Sequence, residues 1–258
     1  MKRMRVAILQ IEGTNCEEES YIAFEEMGQD VEYVHLNLLK KRKKSLEDYD
    51  LLFIPGGFSA GDYVRAGAIF AARLKAISMG DLKKFVDEGK IVMGVCNGFQ
   101  VLIELGLLPG VDGISDRPEA ALMINDSNRF ECRWTYLRKE KNNIFTREVP
   151  EVISLPVAHA EGKFLTDNKT LEKIKENEQI IFRYVKPDGS KAVYPWNPNG
   201  SIEDIAALTN VYGNVLGIMP HPERAFFPHQ HPDWMRKERT HGDGYYIFKS
   251  IVEGKIKY

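Results

Sequence analysis

Ile91-Val92-Met93-Gly94-Val95-Cys96-Asn97-Gly98-Phe99-Gln100 is the stretch on which the fold turns. Ile91 to Val95 is short, apolar and rich in β-branched residues, the signature of a buried strand. Gly98 to Leu105 reads as a helix that follows directly. Between them, Gly94-Val95-Cys96-Asn97-Gly98 has the form G-x-C-x-G, the cysteine version of a nucleophile elbow. Such a turn holds its central side chain at the tip, with the sulfur exposed. Free N–H groups and the positive end of the following helix favour a thiolate there. Cys96 is the candidate nucleophile, and the N–H of Asn97 is placed to donate to a developing oxyanion. The plain alternative is a small buried cysteine after a strand, so other residues must decide.

The same rhythm extends outward. Val6 to Leu9, Val31 to His35 and Leu51 to Ile54 read as strands, and Glu17 to Met27 and Asp81 to Glu88 as helices closed by Gly28 and Gly89. Strand and helix in alternation predict an α/β fold with a mostly parallel central sheet, covered by helices on both faces. Farther on, Phe130 to Leu137, Val152 to Ala158 and Gln179 to Val185 look like strands joined by turns, with antiparallel pairing at one side of the sheet. Val215 to Met219 is another strand and Gly244 to Val252 a closing helix. No repeat or linker interrupts this, so one domain is expected over residues 1–258.

Composition narrows the function. The chain has 258 residues, 43% apolar and 28% charged, with a formal net charge of -2. That balance supplies no strong positive field for nucleic acid. The basic run Lys40 to Lys44 reads as a solvated loop or helix end. The tryptophans Trp134, Trp196 and Trp234 are too scattered to form a stacking platform for single strands. Three distant cysteines, Cys16, Cys96 and Cys132, do not make a disulfide framework or a zinc motif. The basic start Met1-Lys2-Arg3-Met4-Arg5 runs into an apolar stretch too short for a signal peptide, and no run is long enough to span a membrane. A cytoplasmic protein with reduced thiols is expected.

A thiolate needs a base. His221 follows the Val215 to Met219 strand, and Glu223 comes two residues later across Pro222. The carboxylate can bond one imidazole nitrogen and leave the other for the sulfur, as in other triads. Pro55-Gly56-Gly57-Phe58 follows the third strand and suits a second oxyanion donor, the N–H of Gly57. All these groups fall beyond the carboxyl ends of strands, where ligands of such sheets bind.

On these residues the chain resembles the triad-type, or class I, glutamine amidotransferases. Their flavodoxin-like, three-layer fold and a glutamyl-thioester on the cysteine are what the resemblance implies. Longer segments narrow it: Gly57-Phe58-Ser59-Ala60-Gly61-Asp62-Tyr63-Val64-Arg65-Ala66-Gly67-Ala68, Cys96-Asn97-Gly98-Phe99-Gln100, Asn125 to Trp134, Ala158-His159-Ala160-Glu161-Gly162-Lys163 and Met219 to Arg224. Together they are similar to the glutaminase subunits of phosphoribosylformylglycinamidine synthase. Departures are Glu17, Glu18 and Glu19 after Cys16, where aspartates are common, with Ala60 in place of an aromatic and Ala160 in place of glycine. Phe226 to Thr240 looks like an insertion.

The resemblance implies Cys96 as nucleophile, His221 as general base and acid, and Glu223 as its orienter. It implies Gly57 and Asn97 as oxyanion donors. Gln100, one helical turn after Cys96, is assigned to the glutamine head group. His159 and Glu161 stand between a substrate or partner contact and a structural role. The resemblance also implies no metal or cofactor in this chain, with ATP and magnesium on a large synthetase subunit and a small accessory subunit beside it. His229, His231 and His241 are read as a solvated or partner-facing loop rather than a metal site. Cys16 is read as structural and Cys132 as packed or near an interface. A stand-alone cysteine hydrolase on the same fold is the rival reading, and it would act without a synthetase.

Overall fold

The computed structural model describes residues 3–254. Met1 and Lys2 of the basic start, and the last four residues of the expected domain, lie outside them. The strands are β1 (Arg5–Gln10), β2 (Asp30–His35), β3 (Leu51–Ile54), β4 (Ile91–Val95), β5 (Ala120–Ile124), β6 (Glu131–Lys139), β7 (Val152–His159), β8 (Glu161–Thr166), β9 (Ile180–Val185), β10 (Ile205–Thr209) and β11 (Val215–Ile218). The α-helices are α1 (Glu17–Glu26), α2 (Leu36–Lys40), α3 (Ala68–Asp87), α4 (Asn97–Glu104), α5 (Asn168–Glu176) and α6 (Tyr245–Gly254).

One nine-stranded sheet runs in the order β2-β1-β3-β4-β11-β10-β9-β6-β7. From β2 to β11 neighbours are parallel. From β11 to β7 they are antiparallel. The crossover through α1 moves outward from β1 to β2, while that through α3 moves the other way, from β3 to β4. Right-handed connections therefore set α1 and α3 on opposite faces. α3 packs on both α2 and α4, and α1 packs on α6. Three layers result. β3 and β4 are buried at every position, as a strand covered on both faces must be.

Aromatic side chains lock the layers. Phe24 of α1 meets Phe53 of β3 and Phe248 of α6 edge-on, at centroid distances of 5.6 and 5.0 Å. All three are sealed from solvent, and each such burial contributes about 1.5–3 kcal/mol. On α4, an added Cβ at Gly98 would lie 1.9 Å from the Ile54 carbonyl oxygen. Only glycine lets that helix sit so close to β3.

Several elements depart from the sequence reading. α3 begins at Ala68, not Asp81, and runs 20 residues through a break at Ser78, where φ is -146°. β5, β8, β10, α2 and α5 were not expected from the sequence. β5 pairs with β8 in a separate two-stranded sheet and is half-exposed, so its partner lies far away in the chain and its own pattern is weak. Cys132 is exposed on β6 rather than packed. No helix among the described residues is long and apolar enough to cross a membrane.

Candidate active site

The carboxyl ends of β3, β4 and β11 meet at one place. Cys96 caps α4 with φ 52° and ψ -105°, left-handed backbone that a side-chain-bearing residue adopts only under constraint. Its N–H donates to the Ile218 carbonyl at 2.8 Å, and its own carbonyl accepts from Gln100 N at 3.1 Å. The sulfur lies 3.7 Å from the Ala158 carbonyl oxygen of β7.

His221 leaves β11 with its N–H held by the Pro156 carbonyl at 2.8 Å. Pro222 opens a short 3-10 turn that brings Glu223 back beneath the ring. His221 Nδ1 then lies 2.5 Å from Glu223 Oε1, with both residues 1% exposed. The other ring nitrogen, Nε2, has no protein partner among the described residues. An ideal Cβ at Gly56 would stand 2.7 Å from His221 Cε1 and 3.4 Å from the Cys96 Cβ, so this glycine lies against both residues. The His221 pKa is pushed well above its ordinary value: burial opposes the charge, and the Glu223 carboxylate and the Cys96 and Cys16 thiols overcome it.

Gly57 sits at φ 132° with Asn15 N only 2.4 Å from where a Cβ would be, so the loop after β3 is closed against the loop after β1. Asn97 is the first residue of α4, where backbone N–H groups have no intrahelical acceptor. Its side chain is engaged: Oδ1 accepts from Ser59 Oγ at 2.5 Å, and Nδ2 donates to Gln100 Oε1 at 3.0 Å and Asp62 Oδ1 at 3.4 Å. Gln100 Nε2 donates to the Glu161 carbonyl at 2.6 Å. The structure thus brings Cys96, His221, Glu223, Gly57, Asn97 and Gln100 into one connected region.

Ser59 and Asp62 are the members that the sequence reading left without a role, although both lie in the unusual Gly57 to Ala68 segment. Burial, then the Glu161 carboxylate, push the Asp62 pKa up to about 6. Glu161 accepts the Ala66 N–H at 3.2 Å. His159 is buried, with Nδ1 3.1 Å from Asn125 Oδ1. Asn125 Nδ2 donates to the Arg129 and His159 carbonyls, which fixes the amide orientation. Nδ1 of His159 therefore carries the hydrogen, and Nε2 is a bare acceptor in the buried wall. Burial, then the charge on His221, push the His159 pKa down to about 3, so the ring is neutral.

The remaining candidates separate. His229 stacks on Phe227, His231 lies 4.5 Å from Trp134 by ring centres, and His241 stacks on Tyr245 at 3.6 Å. Each ring has its own partner, as packing groups in the 226–240 segment and its flank. That segment is clamped to the sheet through Arg239, whose Nη1 reaches Asp243 at 3.0 Å, and Asp243 accepts the Ser154 N–H at 2.7 Å. Cys16, read as structural, lies beside the histidine: its sulfur and the ligand-type atoms of His221 and Glu223 are all within 4.8 Å of one another.

The model of the CobB/CobQ-like glutamine amidotransferase domain matches residues 3–253. Phosphoribosylformylglycinamidine synthase subunit PurQ of Picrophilus torridus is 52% identical over 230 residues, 89% of this chain and 90% of that one. The PurQ subunit of Archaeoglobus fulgidus is 47% identical over 267 residues, covering 98% of this chain and 97% of that one. The structure of PurLQS from Thermotoga maritima contains a chain 34% identical to this one, with a TM-score of 0.75, covering 98% of this chain and 100% of that one.

Proposed function

We infer the reaction from one premise: the chain belongs to the CobB/CobQ-like glutamine amidotransferase family, and within it to the glutaminase subunits of phosphoribosylformylglycinamidine synthase. It hydrolyses L-glutamine to glutamate and ammonia. The ammonia serves the conversion of formylglycinamide ribonucleotide to formylglycinamidine ribonucleotide in purine synthesis. The observation that carries this at the level of residues is the buried His221–Glu223 contact beside the strained Cys96 elbow.

The residues divide the work as follows. The Cys96 thiolate attacks the side-chain amide carbon of glutamine, and the new oxyanion accepts from the N–H groups of Gly57 and Asn97. The charged His221 gives its proton to the departing ammonia, leaving a thioester on Cys96. A water then passes a proton to His221 and attacks the thioester carbon. Glutamate leaves, and the sulfur and ring return to their starting forms. Glu223 keeps the ring turned and offsets its charge. Gln100, held by Asn97 and Glu161, lines the pocket for the glutamine head group.

The partners in this proposal are a large synthetase subunit, which holds ATP and magnesium, and a small accessory subunit. The setting is the cytoplasm. No metal or cofactor takes part in the steps assigned to this chain. The test is ammonia release from glutamine by the chain alone, then with the synthetase, ATP and formylglycinamide ribonucleotide. Strong stimulation by the full mixture, absent in Cys96→Ala, is the expected result. Equal release with and without the mixture would favour the stand-alone hydrolase.

A further inference from the structure

Cys16 takes no part in the steps above, yet its position is unusual. It stands at the N-terminal cap of α1 with φ 57°, and its side chain makes no capping bond. Residues at that position ordinarily turn a side-chain oxygen onto the helix N–H groups. This thiol turns inward instead and is buried. Left-handed backbone at a residue with a side chain is held only where surrounding contacts demand it.

Two contacts define what the thiol meets. Arg224, the residue after Glu223, donates Nη2–H to the sulfur at 3.0 Å, and its Nε lies 3.7 Å from Glu19 Oε1 in the first turn of α1. The start of α1 and the His-Pro-Glu-Arg turn are therefore tied together. His221 and Glu223 each bring a polar side-chain atom within 4.8 Å of the sulfur. Glu223 uses Oε1 for the imidazole, while Oε2 is buried with no hydrogen-bond partner among the described residues. A buried carboxylate oxygen without a donor is costly. The sulfur, accepting from Arg224, braces the short turn that carries this carboxylate.

We propose that Cys16 is a positioning residue of the glutaminase reaction: its sulfur, accepting from Arg224, ties the start of α1 to the turn that carries His221 and Glu223 and so keeps His221 charged and turned toward Cys96. Burial first, and the Glu223 charge, raise the Cys16 pKa, against lowering by His221 and Arg224, so the sulfur keeps its hydrogen. The groups that act on His221 are Glu223 from its own turn, Cys96 at the cap of α4, Cys16 at the cap of α1 and His159 from β7, while Arg224 and Glu19 are the charged groups beside Cys16. The proposal rests on the assignment of Cys96, His221 and Glu223 given above.

The test reads the ionisation of Cys96 directly. The full chain, in a Cys132→Ser background, is alkylated with iodoacetamide across a pH range, and the rate is followed on the Cys96 peptide by mass spectrometry. In Cys16→Ala the midpoint is expected to rise by about one unit, and the turnover number of glutamine hydrolysis to fall about tenfold with KM little changed. Cys16→Ser keeps an acceptor for Arg224 and is expected to restore most of both. Should Cys16→Ala fail to fold, Cys16→Val fills the space without an acceptor and takes its place. A fall in rate with an unmoved midpoint, or a serine variant no better than alanine, would overturn the proposal. Failure of the underlying assignment looks different: Cys96→Ala would then still release ammonia.

Discussion

His221 Nδ1 lies 2.5 Å from Glu223 Oε1, and neither side chain is open to solvent. Two residues apart in sequence, they can meet only because Pro222 bends the chain between them. Burial alone would hold the imidazole neutral. The carboxylate reverses that, so the resting site favours an imidazolium beside Cys96. An imidazolium can protonate a leaving amine, which a neutral ring cannot.

Cys96→Ala is expected to lower glutamine-dependent synthesis by at least about 10⁴-fold, as loss of a nucleophile does. Synthesis from added ammonium salt by the reconstituted complex should persist, because that step needs no thiol. Measuring both in one preparation separates loss of chemistry from loss of assembly. Loss of the ammonia-dependent reaction in an intact complex would place Cys96 in a different role.

Glu223→Gln keeps the shape and removes the charge. Glutaminase turnover should fall about 10²–10⁴-fold, since the ring loses both its orientation and the anion that stabilises it. Stability should also change its dependence on pH. The folded pKa of His221 is raised, so its contribution to stability is fully present below the ordinary histidine value and is lost as pH rises through the raised one. Denaturant titrations across that window should show the decline in the parent chain and a flatter profile in the variant.

Gly56→Ala tests the closeness of the loop after β3. A Cβ there would lie 2.7 Å from His221 Cε1, a contact that only a shift of the ring can relieve. A displacement of that kind should cost about 10–100-fold in turnover. The thermal midpoint should fall as well, because the His221 ring is sealed from solvent and bound to Glu223 and is not free to yield. A variant that keeps full activity would mean that the ring has slack which the packing does not show.

Asp62→Asn should stabilise the protein, and only above acidic pH. The folded pKa is about 6 against an ordinary value of 3.8. Folding therefore favours the protonated acid, and the cost of the carboxylate grows as pH rises between those values. At pH 4 the substitution should be nearly neutral. At pH 7.5 the thermal midpoint should rise by about 1–3 °C, a modest amount because solvent screens a half-exposed group. An equal shift at both values would assign the effect to something other than charge.

The site was largely legible before the fold was seen, because its chemistry is written in local patterns. G-x-C-x-G needs a strand before it and a helix after it, and both are visible in the apolar spacing around Cys96. His221 and Glu223 are separated by one proline, so their meeting is also a local matter. Asp62 and Ser59 are different. Their roles come from hydrogen bonds to Asn97, 35 and 38 residues away, and no pattern within their own loop announces those bonds. The two-stranded β5–β8 sheet was missed for the same reason.

The sequence by itself determined the alternation of strand and helix and pointed to Cys96, His221 and Glu223 as candidate nucleophile, base and orienter, since each pattern depends on residues a few positions apart. Only the tertiary structure decided that Cys16 lies beside His221 and Glu223 and that the Cys132 thiol is exposed. Cys16 and Arg224 lie 208 positions apart, and their contact exists because α1 and the turn after β11 pack at the same end of one sheet. Periodicity reports which face of an element is buried. It carries no information about which distant element covers that face, and it is this choice that sets a thiol against Arg224 in the turn that carries Glu223.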